Sequence, residues 1–112
     1  MSEFQARVLG LVAMVPKGKV TTYKELARAV GCPRAYRAVA NALEKNPQPL
    51  KIPCHRVIKS DSKIGGYRLG IGRKAKLLIR EGIQIKNSKV DLEKYMFRFA
   101  TTLGDSQSSI DP

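Results

Sequence analysis

Apolar residues near the N-terminus recur at helical spacing: Phe4, Val8, Leu11 and Val12 share one face. Ser2 precedes them as a cap, so the pattern predicts an amphipathic helix ending before Pro16. VPKGKV (15–20) reads as a turn. Thr22, with Glu25 three residues on, is a capping box that opens a helix over Tyr23 to Val30. Gly31 supplies its left-handed stop. Pro33 suits the first turn of the next helix, which runs to about Lys45 with Ala38, Val39, Ala42 and Leu43 as its inner stripe. Two helices separated by only Gly-Cys-Pro form a helix-turn-helix pattern.

Helical periodicity then stops. NPQPLKIP (46–53) holds three prolines, which force an extended or turning path. CHRVI (54–58) is a short turn or strand. KSDSK (59–63) and GGYRLG (65–70) are loop material, their glycines permitting positive φ. Gly72 to Arg80 reads as the last clear helix, stopped at Gly82. Beyond Ile85 the signal weakens. Val90, Leu92, Tyr95, Met96 and Phe99 predict a marginal helix, and TTLGDSQSSIDP (101–112) is expected to be disordered. No repeat and no linker divides the chain. Residues 1–85 are therefore expected to form the domain, and residues 86–112 a partly disordered C-terminal extension.

Charge changes this picture more than length does. The chain has 112 residues and 43% hydrophobic content, enough for one domain with a small core. Lys and Arg number 21 against 9 acidic residues, a formal net charge of +12. A folded domain this basic repels itself, so the charge points to a polyanionic partner. Nucleic acid leads and an anionic membrane surface follows; solubility alone does not require such one-sided charge. The apolar runs are too short to span a bilayer, and the N-terminus lacks the features of a signal peptide. Two cysteines without a secretory signal argue against a disulfide framework. The expected compartment is a reducing one: the cytoplasm, close to the nucleoid, or the nucleus.

The candidate chemistry lies in IPCHRV (52–57), where Cys54 adjoins His55, the sole histidine. A thiol is mostly protonated at neutral pH, and an adjacent base or cations raise its thiolate fraction. Sequence neighbours often point apart, so the pair works only if the backbone turns sharply, which Pro53 favours. Two readings stand: an activated nucleophile and a buried structural cysteine. Zinc fits poorly, because Cys-His has no ligand spacing, and no metal or other cofactor is expected. On the helix-turn-helix, Arg34, Arg37 and Lys45 of the second helix and Lys24 and Arg28 of the first are candidate phosphate contacts. Ala35, Ala38, Ala40 and Ala42 would permit close approach to a groove, or simply pack the core. A thiolate cannot reach base atoms inside a duplex, so joining these two features requires a flipped base and a pocket for it.

PCHRV (53–57), preceded by RAVANALEKNPQPLKI and followed by IGGYRLG and KLLIREG, resembles the O6-alkylguanine-DNA alkyltransferases from about Val15 to Gly82. The resemblance implies that Cys54 accepts the alkyl group from guanine O6 as a stable thioether, once per molecule. It implies that His55 draws the thiol proton through a water and that Glu81 orients His55. Asn46 would tie the recognition helix to the active-site turn. Arg37 would fill the stack that the guanine leaves. Tyr23 would help rotate the nucleotide and donate a proton to the departing guanine. Pro53, Val57, Tyr67 and Arg68 would line the substrate pocket, and Arg34, Ala38 and Lys45 would contact DNA beside Arg37. The implied partner is double-stranded DNA containing O6-alkylguanine, met by a monomer, with the helix in the minor groove.

Two departures matter. Most relatives carry a domain before this one, and here Val15 already belongs to the active-site part. That shortened architecture is similar to alkyltransferase-like proteins, which bind alkylguanine without removing the alkyl group and typically lack the acceptor cysteine. This chain keeps Cys54, which favours transfer; lesion binding alone is the alternative. Arg68 and Leu69 also stand where the family more often has small residues, and bulk there would narrow the pocket. The expected fold is α/β and mainly helical. It is a small single domain with a helix-turn-helix, winged-helix-like, and a short strand pair near the active-site turn.

Overall fold

A computed structural model describes residues 2–67 and 69–100. Ser2 starts helix α1 (Glu3–Val12), its hydroxyl accepting from the Gln5 amide at 3.0 Å. Val8, Leu9 and Val12 form its buried stripe, with Phe4 and Leu11 packed at the edge. A turn leads to strand β1 (Thr21–Thr22). Thr22 caps helix α2 (Tyr23–Ala29), accepting from the Glu25 amide at 3.0 Å. Exchanging such a cap for alanine costs about 1 kcal/mol.

Helix α3 (Tyr36–Glu44) begins three residues later than Pro33 predicts. The Ala35 amide bonds to the Cys32 carbonyl at 2.8 Å, so Pro33 takes the second position of a tight turn. The helix-turn-helix stands, with Gly31 at φ 84° ending α2. Val39, Ala42 and Leu43 of α3 are buried, whereas Ala38 is exposed and leaves the expected inner stripe.

The Cys54 segment follows as a single 3-10 turn (Cys54–Arg56) running into strand β2 (Val57–Ile58). Strand β2 pairs in parallel with β1, Thr21 opposite Val57 and Thr22 opposite Ile58. This pair is the seam between two apolar clusters. Val57 packs with α1, α2 and α3, while Ile58 packs with Ile64, Leu78 and Ile83. Helix α4 (Ile71–Arg80) closes the second cluster and stops at Gly82, φ 94°. The main body is thus mostly helical, with a strand pair beside the Cys54 turn, as expected.

The chain beyond Ile85 differs from the expected marginal helix. Strands β3 (Ile85–Lys86) and β4 (Lys89–Val90) form a hairpin whose two loop residues, Asn87 and Ser88, both have positive φ. Asparagine tolerates that conformation better than most residues, and such two-residue turns match strand twist. Only one helical turn, α5 (Leu92–Tyr95), remains. The chain then runs extended against Val20, and Glu25 accepts the buried Phe99 amide at 2.9 Å. The expected boundary at residue 85 falls inside the hairpin, and Val90, Tyr95 and Phe99 are buried. The expected disorder of 101–112 concerns residues outside the described ones. Among the described residues, no helix is long and apolar enough to cross a membrane.

Candidate active site

Asn46 sets the position of the cysteine. It is fully buried just past α3, donates from Nδ2 to the Ile52 carbonyl at 3.0 Å and accepts from the Gln48 amide at 2.9 Å. The proline-rich loop is thereby folded back onto the end of α3. Pro53, at φ −78° and ψ 66°, makes an inverse γ-turn that brings the Cys54 amide within 2.7 Å of the Ile52 carbonyl. Proline's fixed φ suits this geometry, and the 3-10 turn begins at once.

That sharp turn sends neighbouring side chains to different tasks. Cys54 lines a cavity of about 750 Å³. Its hydrogen-bond partner is the Pro49 carbonyl, at a long 3.9 Å. His55 turns inward, and its Nε2 lies 3.0 Å from Glu81 Oε2. Glu81 is also gripped by Arg56, through Nε to Oε1 at 2.9 Å and Nη2 to Oε2 at 2.8 Å. Arg56 Nη1 donates to the Val15 carbonyl at 2.8 Å, which anchors the fork to the turn after α1.

These contacts decide protonation. Burial pushes the Glu81 carboxyl up, but hydrogen bonds from Arg56 and His55 and the nearby positive charge outweigh it. Glu81 is therefore an ionised acceptor. Burial lowers His55 below the usual imidazole range and prevails over Glu81; Arg56 and Lys74 lower it further. A neutral ring facing a carboxylate must carry its proton on Nε2. Its buried Nδ1 is then a free lone pair, and no described group hydrogen-bonds to it.

The cavity walls come from three elements. Helix α3 contributes Tyr36, Arg37, Ala40, Leu43 and Glu44; the start of α2 contributes Tyr23; the loops after β2 contribute Lys59, Gly66 and Tyr67. Burial raises the Tyr23 pKa, and the charges of Cys54 and Glu44 raise it further, so the phenol keeps its proton as a donor. Burial and then Cys54 do the same for Tyr67. Tyr67 stands edge-on to His55, ring centroids 6.2 Å apart.

Of the residues singled out from sequence, Cys54, Tyr23, Arg37 and Tyr67 meet on one cavity. His55, Glu81 and Asn46 stand behind it as its buried support. Pro53 and Val57 are buried and are not among the residues lining the cavity: Pro53 makes the turn, and Val57 packs into the core. Arg34 lines an adjoining groove that shares Tyr23 and Tyr36 with the cavity. Ala38 and Lys45 are exposed on α3 and at its C-terminal cap. Arg68 lies outside the described residues.

The model of the 6-O-methylguanine DNA methyltransferase DNA-binding domain matches residues 3–83. The chain belongs to this family. A Methanothermobacter thermautotrophicus relative named methylated-DNA–protein-cysteine methyltransferase is 49% identical over 86 residues, covering 76% of this chain and 47% of that protein. The chain therefore spans about half the length of that relative. Among solved structures, Mycobacterium tuberculosis OGT in complex with DNA is 42% identical with a TM-score of 0.71. The match covers 72% of this chain and 50% of that one. S. pombe Atl1, in complex with damaged DNA containing O6-carboxymethylguanine, is 35% identical with a TM-score of 0.79. That match covers 88% of this chain and 98% of that one.

In this member of the methyltransferase family, sequence reasoning missed two charged groups. The first is Arg56, which grips Glu81. The second is Lys74 on α4. It is fully buried, and its ammonium donates to the carbonyls of Val57 at 2.7 Å and Gly66 at 2.9 Å. Lys74 lies four residues before the buried Leu78, so helical spacing puts both on the inner stripe of α4.

Proposed function

We propose that the protein repairs DNA by moving an alkyl group from O6 of a flipped-out guanine to Cys54, irreversibly and once per molecule. The observation that carries this reading is Cys54 on the wall of a cavity of about 750 Å³, ample for a flipped base, beside a histidine whose Nε2 is held to a carboxylate and whose buried Nδ1 has no partner among the described residues. The exposed cations of α2 and α3 would dock on phosphates, with α3 as the recognition helix and Arg37 at the cavity mouth ready to occupy the vacated stack. His55 Nδ1 takes the thiol proton through a water, and Glu81 steadies the resulting positive charge. The thiolate attacks the alkyl carbon: the sulfur–carbon bond forms, the carbon–O6 bond breaks, and guanine leaves with the electron pair. Tyr23 supplies a proton to the departing guanine and regains one from the site, so the net change is thiol plus alkylguanine to thioether plus guanine.

A second reading, lesion binding without transfer, is favoured by one observation: the backbone fits S. pombe Atl1 with a TM-score of 0.79, against 0.71 for the M. tuberculosis structure. Intact-mass measurement after mixing with O6-methylguanine duplex separates the two. Transfer predicts a gain of one methyl group in every active molecule; selective, tight binding at unchanged mass would establish the second reading instead.

A further inference from the structure

The chain past residue 83, where the family match ends, is fastened to α2 and to the strand before it. The Phe97 amide donates to the Val20 carbonyl at 2.7 Å, and the Phe99 amide donates to Glu25 at 2.9 Å. Arg28 donates to the Phe99 carbonyl at 3.0 Å. The rings of Phe97 and Phe99 meet edge to face, centroids 5.2 Å apart. Arg98, between them, therefore has a fixed backbone, yet its side chain is 73% exposed. Among the described residues its ion partner is Glu25, at a long 3.9 Å, and Arg28 already grips that carboxylate at 2.8 and 2.7 Å. An exposed pair this long adds little to stability, so the Arg98 guanidinium is a firmly based charge that the fold does not use.

Arg98 lines a groove of about 490 Å³ with Lys24, Arg28, Ser60 and the half-buried Leu92 and Met96. Lys24, Pro33 and Ser60 also line the groove of Arg34, about 470 Å³. That groove in turn shares Tyr23, Tyr36 and Lys59 with the Cys54 cavity. Three concavities therefore adjoin in a row from the cysteine to Arg98. The two grooves carry five cations, Lys24, Arg28, Arg34, Lys59 and Arg98, against one carboxylate, Glu25, which is buried and already bound. A channel of one sign repels itself and suits a chain of regularly spaced anions.

We propose that this channel is a track for the sugar-phosphate backbone of the strand bearing the flipped guanine, and that Arg98, outside the family-matched residues, is its far phosphate contact. The inference rests on the reading that α2 and α3 dock on DNA. A nucleotide swung into the cavity leaves its neighbouring phosphates at the rim, where Tyr23, Tyr36 and Lys59 open onto the track. Lys24 and Arg28, four residues apart, share one face of α2 and continue the line. Arg98 closes it with a planar fork that pairs with phosphate through parallel hydrogen bonds. Such a contact sets register on the strand and reads no base. The C-terminal segment thereby lengthens the DNA footprint beyond that of residues 3–83.

The test is the salt dependence of binding to O6-methylguanine duplex, read by fluorescence anisotropy on the full chain. In Arg98→Gln the slope of log affinity against log salt should shrink by about one, the loss of one phosphate contact. Arg98→Lys, which keeps a charge, should keep the slope. Lys86→Gln removes the same charge from the β3–β4 hairpin, off the track, and should leave the slope alone. Neutral methylphosphonate linkages in the lesion strand beside the guanine should abolish the effect of Arg98→Gln, while the same linkages in the opposite strand should preserve it. A slope unmoved in Arg98→Gln overturns the proposal and leaves the groove to an acidic protein segment. A slope moved equally by Lys86→Gln, or an effect that follows the opposite strand, overturns it as well. Duplex that does not bind the unaltered protein sinks the docking reading itself, so the two failures are told apart.

Discussion

Glu81 Oε2 accepts from both His55 Nε2, at 3.0 Å, and Arg56 Nη2, at 2.8 Å. One carboxylate therefore holds two consecutive residues of the Cys54 turn, fixing a tautomer with one contact and a backbone with the other. Substituting Glu81→Gln keeps the size and removes the charge. Single-turnover methyl transfer should slow about a hundredfold or more, the usual worth of a positioned general base. Lesion binding, measured by fluorescence anisotropy, should change little. An unaltered transfer rate would remove His55 and Glu81 from the proton path.

Acidification should weaken the fold, and the direction follows from three groups. His55 titrates below its ordinary 6.5 because burial opposes its charge. As pH falls through 6.5, the unfolded chain takes up a proton that the folded chain refuses, so stability declines. Burial raises Glu81 and Glu25, but the Arg56 and His55 contacts of the first and the Arg28 and Phe99 contacts of the second leave both below their ordinary 4.5. Their contribution is present above that value and is lost as pH falls through the folded pKa. The melting temperature should therefore drop progressively from about pH 6.5 downward. A melting temperature that climbs between pH 7 and pH 5 would contradict these assignments.

Asn46→Ala should both destabilise the fold and misplace the cysteine. It removes the partner of the half-buried Ile52 carbonyl and of the amide of exposed Gln48, at a cost of about 1 kcal/mol each. Chemical denaturation should show that loss, and iodoacetamide should find Cys54 more accessible. Wild-type stability with wild-type thiol reactivity would mean the loop holds itself.

Arg37→Ala separates base extrusion from chemistry. Arg37 lines the cavity mouth while its helix face stays exposed. The variant should lose transfer from duplex O6-methylguanine far more than transfer from a free alkylated base, which needs no extrusion. Equal losses on both substrates would assign Arg37 to the pocket instead. Binding to duplex should also fall steeply with salt, as released counterions dictate.

Much of this was legible in the chain because caps, breakers and turns act locally. Thr22, Gly31 and Gly82 mark helix ends through their own side chains or backbone freedom. Pro53 beside Cys54 announces the turn, and the motif around it carries the family. What stayed hidden depends on distant partners. Glu25 does not complete its capping box; its carboxylate bonds to Arg28 and to the Phe99 amide, 74 residues away. Arg56 finds Glu81 across 25 residues, and Lys74 is buried in a helix whose exposed face carries Ile71 and Ile79. Charge alone would have put that lysine outside. The hairpin around Asn87 and Ser88 was masked by apolar spacing that fits a helix almost as well.

Peptide mapping by mass spectrometry, after one incubation with O6-methylguanine duplex, is the decisive measurement. The peptide containing Cys54 should gain one methyl group, with restored guanine in the DNA and no gain in Cys54→Ala. A Cys54 peptide of unaltered mass, from folded protein that binds the lesion, would contradict alkyl transfer outright.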